Sequence, residues 1–309
     1  MYTILTAQQE GLRTGHDFVK DCWVNVASPT TDEIELLSTR LKIPHAFLTD
    51  PLDVDERARI ETDEGVTLVI LRIPYFDRDN VELPYTTLPL GIIFTEECVV
   101  TVCSKVIENF FDFTSGRVKT FTIEQRGKFL LQIFFRAALQ YLSYLKEINK
   151  RTDTTERELH KSMKNEELIK LLHIEKSLVY FTTSLRSNEI MMERLEKTGI
   201  KLTEEDRDLL DDVLIENKQA IEMSNIYSNI LSGMMDAFAS VINNNLNVVV
   251  KFLTSVTIIF MIPTFVSSTY GMNVPLPFQH SPHAFLIVTG ISLLLSLVGV
   301  IIFWKRQWF

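Results

Sequence analysis

Residues 248–270 restrict the fold more than any other stretch. VVVKFLTSVTIIFMIPTFVSSTY is apolar or small throughout, with Lys251 as its single charge. At ~1.5 Å per residue, a helix of that length crosses a hydrocarbon core of ~30 Å. Its less apolar positions are ordered. Asn247, Thr254, Thr257, Met261, Thr264, Ser268 and Gly271 follow one another at steps of three, four or seven, which keeps them on one helical face. Small and hydroxyl residues also serve close packing of membrane helices. Asn247 at one end and Asn273 just past the other favour a wet path, because a polar face on a spanning helix usually lines one. Pro263 removes a backbone donor mid-span and predicts a bend. The stretch reads as a pore-lining helix.

A second apolar run, 284–304, is also long enough to span. Between the runs, 271–283 holds Asn273, Gln279, His280, Ser281 and His283 but no charged residue. Lys305 and Arg306 follow the second run directly. That asymmetry places the C-terminus in the cytoplasm, and two crossings return the N-terminal part there too. Tyr270, Trp304 and Trp308 stand where interfacial aromatics sit. Residues 1–10 are mixed and strand-like with no basic leader, so no signal peptide is expected and the inner cell membrane is the expected location. All 40 acidic residues precede residue 247, with 28 of the 31 basic ones (Lys251, Lys305 and Arg306 are the others), a net charge of −12. Such a balance argues against a nucleic-acid partner and fits a solvated domain or one that meets cations. Cys22, Cys98 and Cys103 lack metal-ligand spacing, and their odd number suits a reducing cytosol.

The chain divides by composition into an α/β domain (1–122), a helical hairpin (123–200), a stalk helix (203–247), a first span (248–270), an external loop (271–283), a second span (284–304) and a basic tail (305–309). Strands are expected at 2–6, 22–27, 66–73, 86–94 and 98–102, rich in β-branched residues between turn signals. Thr30-Thr31-Asp32-Glu33 opens a helix that stops before Pro44. Apolar residues at threes and fours over 129–149 and 168–195 predict two helices joined by the charged stretch 150–167, with Gly199 as a left-handed cap. Thr203 and Asp206 form a capping-box pattern, and from there to Pro263 the chain has one Gly and no Pro. A continuous helix over that stretch spans ~100 Å. It carries two apolar stripes, Tyr227, Leu231, Met234, Phe238 and Val241, and Met223, Ile226, Ile230 and Ala237. Both must be covered, one by the chain itself and one by a neighbouring subunit. Two spans cannot enclose a hydrated path, so a pore requires a ring of chains.

Tyr270-Gly271-Met272-Asn273 ends the first of the two spans, ahead of a short loop, a second span and a basic tail. In that context the motif resembles the CorA family of magnesium channels. The likeness extends to Trp23-Val24-Asn25-Val26 and to Ile43-Pro44-His45-Ala46-Phe47-Leu48-Thr49-Asp50, and so covers most of the chain. It implies an α+β membrane protein: a funnel-shaped homopentamer whose α/β cytoplasmic domain leads into a stalk helix continuous with the pore helix. It also implies Mg2+ as the transported and regulatory ion. Gly271, Met272 and Asn273 would form the selectivity filter. Asn247, Leu253, Met261 and Thr264 would line the path, with Leu253 and Met261 as constrictions that gate by dewetting, and the helical stripe adds Thr254, Thr257 and Ser268 to that lining. Mg2+ gives up its waters reluctantly, so a ring of amide oxygens from Asn273 suits its hydration shell. Gly271 would let the backbone turn sharply there.

Glu204, Glu205, Asp206, Asp208, Asp211 and Asp212 crowd the start of the stalk, where acids ordinarily make a solvated, dipole-friendly face. The resemblance implies more. Asp212 would pair with Asp50 across a subunit interface to hold regulatory Mg2+, and Asp236 would concentrate cations near the inner mouth. Asp208 and Asp211, in the acidic start of the stalk, are further candidates to attract cations. The sequence departs from the family pattern twice: Thr49 replaces an acid common before the position of Asp50, and the loop 274–279 has no acid. His280 and His283, without a carboxylate or thiolate beside them, read as loop residues. Lys251 is expected to snorkel to the inner headgroups.

Three readings compete. One is a Mg2+ channel driven by the membrane potential and closed by intracellular Mg2+. Another is a transporter of Zn2+, Co2+ or Ni2+, with or without proton coupling; Met272 favours the first. The third is a membrane-anchored scaffold or sensor, which has no need of a polar stripe. No G-x-x-x-x-G-K-[ST] loop or hydrolase constellation appears, so an enzyme is not expected.

Overall fold

The computed structural model describes all residues except 1, 9–10, 16, 108–109, 112–124, 163–164, 199, 201, 279–280, 307 and 309. The boundary expected at 122/123, the cap expected at Gly199, and His280 lie outside the described residues. The chain forms two compact units, Met1–Gly233 and Met234–Phe309.

In the first unit seven strands make one sheet. They are β1 (Tyr2–Gln8), β2 (Gly11–Gly15), β3 (Cys22–Ala27), β4 (Arg59–Asp63), β5 (Val66–Phe76), β6 (Tyr85–Phe94) and β7 (Cys98–Cys103), in the order β2-β1-β3-β7-β6-β5-β4. Neighbours are antiparallel except β3 and β7, which run parallel with Cys22 opposite Cys98. All three cysteines are free and buried. The edge strands β2 and β4 were not expected from the sequence. Arg-Ile-Glu-Thr-Asp of β4 has one apolar residue and buries little, so it lacks the alternation that marks a half-buried strand. Its pairing is set by the two-residue turn Glu64-Gly65, whose positive φ angles of 48° and 82° join a tight hairpin.

Alternation in the central strands builds two cores, one on each face. Val69, Leu71, Ile73, Leu88, Leu90, Ile92 and Val99 point to one side, and Leu68, Ile70, Ile93, Val100 and Val102 to the other. The second side is covered by α1 (Thr31–Leu41) and α2 (His45–Thr49) through Ile34, Leu37, Phe47 and Leu48. Glu33 and Thr30 close a capping box at the start of α1, where the sequence places a helix start. The first side is covered by α3 (Arg126–Ser162), α4 (Asn165–Glu193) and the start of α5 (Glu204–Tyr270), through Phe129, Phe134, Met191, Leu210 and Val213. Trp23 sits in this layer, edge-on to Phe111 and Phe129. Its Nε1 donates to Thr101 Oγ1, which donates in turn to Asn25 Oδ1, so the Trp-Val-Asn-Val segment ties β3 to β7.

The charged stretch expected to join two helices is itself helical. α3 runs through it to Ser162 because its polar residues satisfy one another along the helix. Arg151 pairs with Glu147 one turn back at 2.8 Å, and Thr152, Thr154 and Thr155 donate to carbonyls four residues earlier. α5 begins on the expected box: Thr203 N donates to Asp206 Oδ2, and Asp206 N to Thr203 Oγ1. Buried Asn217 and Ser224 then fasten α5 to α4 through the carbonyls of Leu185 and Leu178.

One buried amide replaces a missing strand. The β4–β5 pairing ends at Arg59 opposite Ile70, which leaves Arg72 without a partner residue on that edge. Asn188 of α4, fully buried, supplies both halves: its Oδ1 accepts from Arg72 N at 2.9 Å and its Nδ2 donates to Arg72 O at 2.7 Å. Tyr141 Oη also donates to Arg72 O. Asn188→Ala therefore orphans a buried backbone N–H. Thermal unfolding in detergent followed by circular dichroism should show a loss of about 1–3 kcal/mol.

Candidate ion path

In the second unit α5 continues to Tyr270 without a break at Pro263, and α6 (Ala284–Lys305) follows. Both are long and apolar enough to cross a membrane. The two faces of the α5 span differ. Ser255, Val256, Ile259, Ile262, Pro263, Val266 and Tyr270 are buried or half-buried. Gly299 of α6 sits over this face, where an added Cβ would lie 3.5 Å from Ile262 and 3.9 Å from Ile259. The other face is left open. Asn247, Leu253, Thr254, Thr257, Met261, Thr264 and Ser268 are all exposed. One side of the span packs within the chain, while the polar stripe and the apolar Phe252, Ile258, Phe260 and Phe265 do not.

Hydroxyl geometry bears on what that stripe can bind. Thr257 Oγ1 donates to Leu253 O at 2.8 Å and Thr264 Oγ1 to Phe260 O at 3.0 Å. Each proton is spent on the helix itself, so the oxygens offer lone pairs outward. Gly271 closes the helix, its N–H donating to the carbonyls of Ser267 and Ser268. The expected sharp turn is not what makes it glycine. Its φ is not positive, and an added Cβ would touch the Ser267 and Ser268 carbonyls at an ordinary 3.5 Å. Met272 and Asn273 follow, both exposed. Tyr270 Oη donates to Pro277 O, which folds the loop back on the helix end, and Phe278 takes a positive φ of 65°.

The acids of the first unit lie apart from this stripe in sequence. Asp208, Asp211 and Asp212 are exposed on α5, as is Asp236 in the second unit. Asp50 opens a short 3-10 turn, Asp50–Leu52, after α2. The turn packs on β6 at Gly91, where any Cβ would collide with the Pro51 ring. Thr49 turns its hydroxyl back onto the carbonyls of His45 and Ala46. Among the described residues no group of three or more His, Cys, Asp or Glu side chains is gathered as a metal site on one chain.

The sequence reading missed the partner of Asp50. Arg59 Nη2 donates to Asp50 Oδ2 at 2.6 Å, its Nη1 bonds Glu56, and its Nε reaches Glu61 at 3.2 Å. Burial lowers the Arg59 pKa, but Glu61, Glu56 and Asp50 outweigh it, and the net shift is upward. Nearby, buried Arg72 donates to the carbonyls of Val54 and Glu56 and to Thr87, which pins the connection from Asp50 to β4. Burial is the largest influence on Arg72 and lowers its pKa, against Tyr141 and the carboxylates of Asp55, Glu56 and Asp53. The sequence signal was modest: Arg59 and Glu61 share one face of a strand at the period of two. A separate groove of about 790 Å³, lined by Phe76, Tyr85, Arg151 and His173 among others, contains none of the residues expected to meet cations.

An α/β domain whose last helix runs on into a membrane span, followed by a second span, defines an integral membrane protein of the two-span ion-transporter class. Residues 20–306 match the profile of the CorA-like Mg2+ transporter protein family. The chain belongs to that family, whose members are transporters and not enzymes. The cobalt/magnesium transport protein CorA of Methanocaldococcus jannaschii is 30% identical over 93% of this chain and 90% of its own length. The protein of the same name from Thermotoga maritima is 24% identical over 98% of this chain and 88% of its own. The complete structure of the M. jannaschii CorA magnesium transporter superposes with a TM-score of 0.85 at 27% identity, covering 100% of this chain and 99% of that one.

Gly91→Ala is expected to push the Asp50–Leu52 turn off the sheet. It should cost about 1–3 kcal/mol, as overpacking of a filled core does, read as a lower unfolding temperature of the purified protein.

Proposed function

We propose that this chain is one subunit of a homopentameric channel that admits Mg2+ through the inner cell membrane, with both termini in the cytoplasm. The observation that carries the reading is the open polar stripe on α5: α6 packs against Ile259 and Ile262, on another side of the span, and leaves the hydroxyl stripe for a water-filled axis. Five such faces enclose a path lined by Asn247, Thr254, Thr257, Thr264 and Ser268. Leu253 and Met261 form its apolar constrictions. Gly271, Met272 and a ring of Asn273 amides stand at the outer mouth and bond the hydration shell of the ion. The driving force is the membrane potential, ~2.3 kcal/mol per charge per 100 mV, or ~4.6 kcal/mol for a divalent ion. That corresponds to an accumulation of roughly two-thousand-fold, so no nucleotide is consumed.

In this reading intracellular Mg2+ regulates the channel by bridging Asp50 of one subunit and Asp212 of the next. Asp208, Asp211 and Asp236 raise the local cation concentration. Bound metal offsets the repulsion between the carboxylates and holds the ring closed; its loss frees the subunits, and α5 bears both Asp212 and the constrictions. Uptake of Co2+ is the second reading, because the M. jannaschii and T. maritima relatives are named cobalt/magnesium transport proteins.

The ring is tested by mass measurement in mild detergent, where five copies are expected and a stable monomer would sink the pore. Uptake into liposomes under an imposed potential tests the filter. Asn273→Ala should reduce Mg2+ entry at least tenfold with the oligomer intact, since it removes the amide ring without touching the packed faces. Running Mg2+ and Co2+ in parallel separates the two readings, and near wild-type uptake of both by the variant would refute outer-shell recognition.

A further inference from the structure

Among the described residues, the guanidinium of Arg59 is the cation that occupies Asp50, and it is held by three carboxylates at once. In the single chain the Arg59 and Asp50 side chains are 31% and 30% exposed, so the pair opens onto the surface that the regulatory reading sets against Asp212 of the next subunit. We propose that Arg59 is a tethered competitor of Mg2+ at Asp50, one that raises the Mg2+ concentration needed to close the channel. The inference rests on the regulatory reading of Asp50 given above.

Geometry makes the competition reversible. A hydrated Mg2+ recognises a carboxylate through water protons donated to its oxygens. Arg59 already takes one acceptor position on Asp50 Oδ2 with a charge-assisted bond of 2.6 Å and sets a positive charge against the carboxylate. Two cations at one carboxylate repel, so the ion binds Asp50 most favourably once Nη2 has moved away. Arg59 is not stranded when that happens, because Nε keeps Glu61 and Nη1 keeps Glu56. Exchange therefore costs one of three bonds and leaves no unpaired cation. Asp50 itself stays where it is, since its turn is packed at Gly91 and the chain after it is pinned by Arg72. A fixed carboxylate beside a movable counter-ion is what a threshold device needs. Without Arg59, Asp50 would lose its standing counter-ion and bind Mg2+ at lower concentration.

The test uses the full-length oligomer in detergent and reads the Mg2+ concentration that half-protects it from limited proteolysis. Four proteins form a double-mutant cycle: wild type, Arg59→Gln, Asp50→Asn, and the two combined. Arg59→Gln should lower the half-protecting concentration about three- to tenfold, the range expected for one partly exposed charge-assisted pair. Asp50→Asn should raise it or abolish protection, and adding Arg59→Gln to Asp50→Asn should change nothing further. Arg59→Lys, which keeps a tethered charge but loses the three-way fork, should fall between wild type and Arg59→Gln, and it serves if the latter does not fold. If Asp50→Asn leaves protection unaltered, the regulatory reading of Asp50 fails. If Asp50→Asn alters it but Arg59→Gln does not lower the midpoint, the competitor is refuted and the reading survives. An equal drop in both backgrounds also refutes it, because the effect of Arg59 would then be a general change of surface charge.

Discussion

The α5 span presents two faces to a medium that accepts only one of them. Hydrocarbon solvates Ile259 and Ile262 but offers no donor to the outward lone pairs of Thr257 and Thr264, whose own protons are used within the helix. α6 offers no remedy, because it packs on the apolar side. Below the span the same helix has the opposite difficulty in water. Leu231 is buried within its chain, while Ile226 and Ile230 remain about half exposed. One stretch of α5 needs water where lipid would lie, and another needs cover where water lies. A ring of copies meets both demands with a single arrangement, which is the physical basis for the proposed oligomer. Neither demand alone would require it: a scaffold dimer would hide the isoleucines, and a tight helix pair could bury the threonines.

The sequence made some parts of this architecture legible and concealed others for identifiable reasons. The central strands were readable because burial on both faces gives near-continuous apolar runs, as in Val66–Phe76 and Tyr85–Phe94. Helix starts at Thr30 and Thr203 were readable because capping is a local contract between residues three apart. Edge strand β4 was not, since half its residues meet solvent and pattern follows burial. Neither was the helical character of 150–162, where turn-to-turn pairs replace an apolar face. The stripe on the span was visible at its full length because helical periodicity alone defines it. Arg59 was invisible for the converse reason: its carboxylates come from three positions that only the turn at Asp50 and the β4 strand bring together. Gly271 shows a limit of another kind. The glycine was noticed, but a glycine without a positive φ has no explanation within a single chain.

The proposed path has a chemical character that bears on which ions it can distinguish. Nitrogen and sulfur donors bind Co2+ more firmly than Mg2+, and a filter that stripped water and coordinated metal directly would hold Co2+ harder. The stripe offers amide and hydroxyl oxygens, and the described part of the outer loop has no charge to draw ions inward. Recognition there must rest on the size and hydrogen-bonding of the hydration shell, which two small hexahydrated divalent ions share. A path of this kind excludes monovalent ions, whose shells are looser, far better than it separates Mg2+ from Co2+. In the proposed regulation, discrimination by concentration falls to Asp50 and Asp212, carboxylates of the first unit that supply the charge the outer loop lacks. There an arginine already in place changes the problem from binding to displacement. A free acidic pair would saturate with whichever divalent ion bound it most tightly; a pair that an ion must first take from a guanidinium responds only when that ion is abundant.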